Sequence, residues 1–90
     1  MMTLIFTESY EKRARKFLKK HPELEGQYTK TLKLLEINPT HKALRLHKLK
    51  GRLKSLHSAS INYSYRIAFK FIIKNEEIIL VDVGSHDEVY

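Results

Sequence analysis

The chain has 90 residues, 42% hydrophobic and 30% charged, which is enough apolar surface for one globular core and too little for two. It contains no cysteine, so a disulfide scaffold and thiolate metal sites are excluded. Seventeen Lys and Arg against ten Asp and Glu give a net charge of +7, a balance that points to a polyanionic partner.

The opening Met1-Met2-Thr3-Leu4-Ile5-Phe6 lacks the charged start of a signal peptide, and no apolar run approaches the length of a bilayer span. A soluble, cytoplasmic protein without a membrane partner is expected. Leu4, Ile5 and Phe6 form a short strand-prone run, after which Thr7 or Ser9 can cap the amides of a helix. From Glu8 to Lys20 the apolar positions Tyr10, Ala14, Phe17 and Leu18 recur at three- and four-residue intervals, the signature of one core-facing stripe. Pro22 follows the break, and Leu24, Tyr28, Leu32 and Leu35 continue helical spacing until Asn38 and Pro39 stop it. Two helices in a hairpin are predicted.

After Pro39 the period changes. Leu44 and Leu46 alternate with Arg45 and His47 as a half-buried strand would, ending before a turn or bulge at Gly51. Ala59, Ile61 and Tyr63 alternate with Ser58, Ser60 and Asn62, and Tyr65 to Lys74 repeats the pattern over a longer run. Asn75, Glu76 and Glu77 make a polar turn. Ile78 to Val83 is a near-continuous apolar run of the kind found at the centre of a sheet. The predicted fold is α+β, one domain over residues 1–90 in the order β-α-α-β-β-β-β, with the helical hairpin packed on one face of a curved, mostly antiparallel sheet.

The charge is regional. Between Ile37 and Asn75 there is no Asp or Glu, yet Lys42, Arg45, Lys48, Lys50, Arg52, Lys54, Arg66, Lys70 and Lys74 all lie there. His41, His47 and His57 share the span and His86 lies near the end of the chain, so groups that move protons near neutral pH accompany groups that hold phosphate. That pairing points to RNA cleavage: attack by a 2′-hydroxyl needs a base, a cation for the developing phosphorane charge and an acid for the leaving 5′-oxygen. Arg66 has the opposite strand parity from Tyr65, Ile67 and Phe69, so its guanidinium should emerge on the sheet face away from the helices and grip phosphate there. A salt bridge from Arg66 to Asp82 or Glu77 is the competing structural role. His86 is placed to give or take a proton, with Gly84 supplying a turn that delivers it. Tyr90 can stack on a base or bond to phosphate. Arg45, Lys48, Lys50, Arg52 and Lys54 are expected to contact the RNA backbone, fixing position without reading sequence. His21 and His41, beside prolines, carry no assigned role. The histidines have no metal-ligand spacing, so neither metal nor cofactor is expected.

Three segments resemble the RelE/ParE toxin superfamily, in its RelE and YafQ-like branch: Leu46-His47-Lys48-Leu49-Lys50-Gly51, Tyr65-Arg66-Ile67-Ala68-Phe69, and Asp82 to Tyr90. The resemblance covers essentially the whole chain. It implies a ribosome-dependent mRNA endonuclease, the toxin of a type II toxin-antitoxin pair, with a cognate antitoxin, the ribosome and mRNA as partners. By the same resemblance Arg66 matches an arginine on the scissile phosphate, Tyr90 a C-terminal active-site aromatic, His86 and His47 histidines of the YafQ-like site, and His57 a functional lysine of RelE-like toxins. Ser60 and Ser64 stand where the YafQ-like pattern has a histidine and an aspartate, and Asp82 where it has an arginine. Those departures motivate a second reading, a protein that binds antitoxin or ribosome without cleaving. ParE relatives, which act on DNA gyrase, supply a third.

Overall fold

The computed structural model describes residues 1–51 and 55–89. In chain order the elements are β1 (Thr3–Phe6), α1 (Glu8–Lys20), α2 (Glu25–Ile37), β2 (His47–Lys48), β3 (His57–Ser60), β4 (Tyr65–Ile72), β5 (Glu77–Ser85) and α3 (His86–Val89). The strands form one sheet in the order β1-β5-β4-β3-β2, with β1 parallel to β5 and the other pairs antiparallel. The architecture is α+β, and among the described residues no helix is long and apolar enough to cross a membrane.

Helix α1 starts where Thr7 Oγ1 accepts a hydrogen bond from the Tyr10 amide at 3.2 Å, which satisfies one of the donors every helix leaves open. Its stripe of Tyr10, Ala14 and Phe17 is buried as the spacing predicts. A single 3-10 turn at Pro22–Leu24 links it to α2. There Tyr28, Thr31 and Leu35 are buried, and Thr31 tolerates burial because its hydroxyl donates to the Gln27 carbonyl at 2.8 Å. The two helices are joined at depth by the Tyr10 and Tyr28 hydroxyls, 2.7 Å apart.

Ile67, Phe69, Ile78 and Leu80 are fully buried beneath this hairpin, each removing an apolar side chain from water for roughly 2 kcal/mol. Strand β5, flanked by β1 and β4, is the central position expected of its apolar run. It also contains a bulge: Asp82 pairs with Ala68 and Leu80 with Phe69, so Val81 is the extra residue. The bulge shifts the inward set from a spacing of two to a spacing of three, and Ile78, Leu80 and Val83 are all buried as a result. Arg13 on α1 covers the irregularity, its Nη1 donating to the Val81 carbonyl at 3.1 Å and lying 3.9 Å from the Asp82 carboxylate.

Three expected strand bounds are corrected. Lys42–Leu44 is a 3-10 turn, leaving β2 only two residues, because His41 Nδ1 accepts from the Ala43 amide at 3.0 Å and Arg45 turns left-handed at φ 48°. His41 is thus a cap, a role its place beside Pro39 did not reveal. Strand β3 stops at Ser60, since Asn62 Oδ1 accepts from the Ser64 and Tyr65 amides at 2.8 and 2.9 Å and closes a tight loop. Strand β4 ends at Ile72 in a turn that exits through Glu76 at φ 54°. The short helix α3 was not expected at all.

Candidate functional site

Arg66 pairs with Ser60 on β3 and Gly84 on β5. Side chains at directly paired positions share a face, and Ile67 and Phe69 of the same strand point to the helices, so Arg66 lies on the opposite face as its parity predicts. It is anchored there. Nε donates to Ser58 Oγ at 2.8 Å, and Nη2 donates to the Arg45 carbonyl at 2.7 Å and, more weakly, to the Ser58 carbonyl at 3.4 Å. Nη1 has no partner among the described residues and keeps two N–H donors for an anion. Among the described residues the expected competitor, a salt bridge to Asp82 or Glu77, does not form: Asp82 lies beside Arg13, and Glu77 Oε1 accepts from Asn75 Nδ2 at 3.4 Å. A guanidinium fixed at one edge and open at the other is preorganised for a phosphate oxygen.

The register divides the histidines. His47 pairs with Ser58, which puts it on the Arg66 face one strand further out. His57 pairs with Phe69 and so projects to the other face, where its ring lies 6.1 Å from that of Phe69 and 4.9 Å from that of Phe71. The expectation groups His57 with Arg66 in the catalytic set, whereas the register sets the two on opposite faces and packs His57 against aromatic rings. Its Nδ1 is buried without a hydrogen-bond partner among the described residues, and burial, reinforced by Lys48, pushes its pKa down. Lys48, opposite His57, shares that second face. His21 likewise packs, its ring 5.0 Å from Phe17 and 4.6 Å from Tyr65.

His86 is the first residue of α3, two positions beyond the Gly84 that faces Arg66. Its side chain is 62% exposed and its Nδ1 is 3.8 Å from Asp87 Oδ1. The turn that carries it is closed reciprocally: the Ser85 amide donates to Glu88 Oε1 at 2.8 Å and the Glu88 amide to Ser85 Oγ at 3.3 Å. The Ser85 amide, and then its side chain, holds the Glu88 carboxyl below the usual carboxylate range. Gly84 contributes space instead of the expected turn. It lies within β5 without a positive φ, and a Cβ there would meet Glu88 Oε1 at 3.0 Å and Glu88 Cβ at 3.1 Å.

Lys50 is exposed at the end of β2, and Arg45 guides Arg66 through its carbonyl. Arg52, Lys54 and Tyr90 lie outside the described residues. The positions that depart from the YafQ-like pattern have structural duties. Ser60 Oγ donates to the Asn62 carbonyl at 2.6 Å, the Ser64 amide closes the Asn62 loop, and Asp82 meets Arg13. Sequence reasoning missed Tyr63, which it took for an inward strand residue. Tyr63 is 89% exposed, with the Arg45 guanidinium 4.7 Å from its ring centre. The signal available was Asn62, which ends the alternation that put Tyr63 inside.

Whole-chain structural comparison gives a consistent answer. YafQ from E. coli superposes with a TM-score of 0.80 at 14% identity, over 100% of this chain and 99% of that one. The fold is that of the YafQ toxin structures. A metal-bound toxin from Helicobacter pylori gives 0.80 at 22% identity over the full length of both chains. YafQ in the E. coli DinJ-YafQ toxin-antitoxin complex gives 0.78 at 16%, over 99% of this chain and 97% of that one. No protein-family model and no curated protein sequence matches. Among the described residues no three His, Asp or Glu side chains gather as a ligand set of the kind a bound metal requires.

Proposed function

We propose that this chain is the toxin of a type II toxin-antitoxin pair and cleaves mRNA on the ribosome, in the cytoplasm. The observation that carries the proposal is the anchored guanidinium of Arg66, with one nitrogen unengaged among the described residues, in an acid-free stretch of sequence and opposite Gly84, two residues before His86. Arg66 binds a nonbridging oxygen of the scissile phosphate and gains strength as the phosphorane accumulates charge. His47 and His86 share the two proton transfers: one imidazole takes the proton of the attacking 2′-hydroxyl, and the other gives a proton to the departing 5′-oxygen as the P–O bond breaks. The products are a 2′,3′-cyclic phosphate and a free 5′-hydroxyl. Lys50 and Arg45, with Arg52, Lys54 and Tyr90, complete the contact with RNA. The DinJ-YafQ complex supports a separate antitoxin chain as the resting partner of this fold.

Primer extension on a translated message tests this reading. Induction of the wild-type chain is expected to arrest growth and produce discrete mRNA breaks. Arg66→Ala and His86→Ala should each reduce breakage by two or more orders of magnitude. Unchanged cleavage in both variants would remove the assigned site.

The hydroxyl of Ser60 and the carboxylate of Asp82, committed to loop and bulge, favour a second reading in which the chain binds antitoxin or ribosome without cleaving. It is selected if induction leaves growth and mRNA intact while the purified chain binds its antitoxin. DNA-damage signalling with intact mRNA would instead mark a gyrase poison.

A further inference from the structure

We infer that Tyr63 and Arg45 form a shelf on which a base of single-stranded RNA stacks beside the phosphate held by Arg66, an inference that rests on the RNA-cleavage reading. Tyr63 is the most exposed large hydrophobic residue among those described, at 89%. Its loop is nevertheless held at several points. The Ile61 amide donates to the Tyr65 carbonyl at 2.9 Å, Ser60 Oγ to the Asn62 carbonyl, and the Ser64 and Tyr65 amides to Asn62 Oδ1. A rigid loop that presents an aromatic ring to water has already lost the conformational freedom that binding would otherwise remove.

The fold itself gains little from this arrangement. The Tyr63 ring meets the Arg45 guanidinium at 4.7 Å, and a cation–π pair at an exposed site stabilises a protein only weakly. The same Arg45 accepts Nη2 of Arg66 on its carbonyl at 2.7 Å, from a left-handed backbone that turns carbonyl and guanidinium to separate tasks. One residue therefore ties the aromatic ring to the phosphate-binding arginine. A ring and a guanidinium plane are the two surfaces on which nucleobases stack, and stacking tolerates any base because every base has a π-face. The shelf would position the nucleotide next to the scissile phosphate and favour single-stranded over paired RNA, whose bases are already stacked.

The test uses the intact chain and two fluorescently labelled hexanucleotides, both 2′-O-methylated to prevent cleavage, one with all its bases and one abasic at its central positions. Wild type is expected to bind the base-bearing strand about tenfold more tightly, as loss of one stacked base predicts. Tyr63→Ala and Tyr63→Leu should bind both strands with the affinity of wild type for the abasic one, and Tyr63→Phe should restore the preference; circular dichroism checks that each variant is folded. Retention of the preference in Tyr63→Ala or Tyr63→Leu overturns the shelf. Equal wild-type binding to both strands overturns it and leaves RNA binding standing. Absence of wild-type binding to either overturns the shelf, while discrete mRNA breaks in primer extension would leave ribosome-dependent cleavage standing.

Discussion

The histidines show how strand parity sorts neighbouring side chains onto opposite faces of the sheet. His57 was grouped with Arg66 by its place in a basic span, and pairing with Phe69 turns it to the opposite face. A neighbouring sequence position cannot report this, because the register of a sheet is set by partners far along the chain. The consequence is measurable. Burial lowers the pKa of folded His57 below its ordinary 6.5, so as pH falls the unfolded chain takes up a proton first and stability drops. The stability is complete above the unfolded value and declines from about pH 7 downward, until the folded imidazole also titrates. His57→Phe should flatten this decline relative to wild type when unfolding in urea is compared at about pH 7.5 and pH 5.5. A decline of equal size in the variant would assign it to other groups. Arg66, in contrast, was legible: its alternation with Ile67 and Phe69 predicted the face it occupies. Its tether to Ser58 and Arg45 was not, since Arg45 lies 21 residues away and reaches it only through a left-handed turn.

At the scale of elements, the helix stripes and the order of strands were readable because period and capping act locally. Helix α1 spans the predicted Glu8–Lys20, fixed by Thr7 at its start. What escaped was every feature made by a pair of elements: the β5 bulge covered by Arg13, the Asn62 loop, and the turn into α3. The hydroxyl pair between α1 and α2 is another. Tyr28→Phe should strand the fully buried Tyr10 hydroxyl and cost about 1–3 kcal/mol in denaturant unfolding. The double variant Tyr10→Phe/Tyr28→Phe should recover most of that loss, and a simple sum of two losses would refute the pairing. At the other end of the sheet, Gly84→Ala puts a carbon against Glu88. The expected result is loss of the Ser85–Glu88 closure, worth about 1 kcal/mol, and several-fold slower cleavage through a displaced His86. If the closure is what Gly84 protects, Glu88→Ala should cost far less in the Gly84→Ala background than in wild type.

Over the whole molecule, charge and topology act together. The acid-free span covers β2, β3 and β4, so cations gather on one half of the sheet while the carboxylates lie on α1, α2, β5, α3 and the turns that lead into α2 and β5. Single-stranded RNA binding should weaken with salt, and each backbone contact removed should lower the slope of log K against log salt by about 0.7. Lys50→Ala is expected to reduce the slope by one such step, whereas Tyr63→Ala should leave it unchanged. Equal slopes for Lys50→Ala and wild type would take Lys50 off the RNA. The parallel pairing of β1 with β5 has a consequence of another kind. Thr3–Phe6 pairs with residues 77–80, far along the chain, and the strand that brings Gly84 beside Arg66 is that same strand. Pairing between segments so distant in sequence is slow to form, so the docking of β1 and the placing of Gly84 opposite Arg66 both wait on β5, and one seam governs how late the sheet closes.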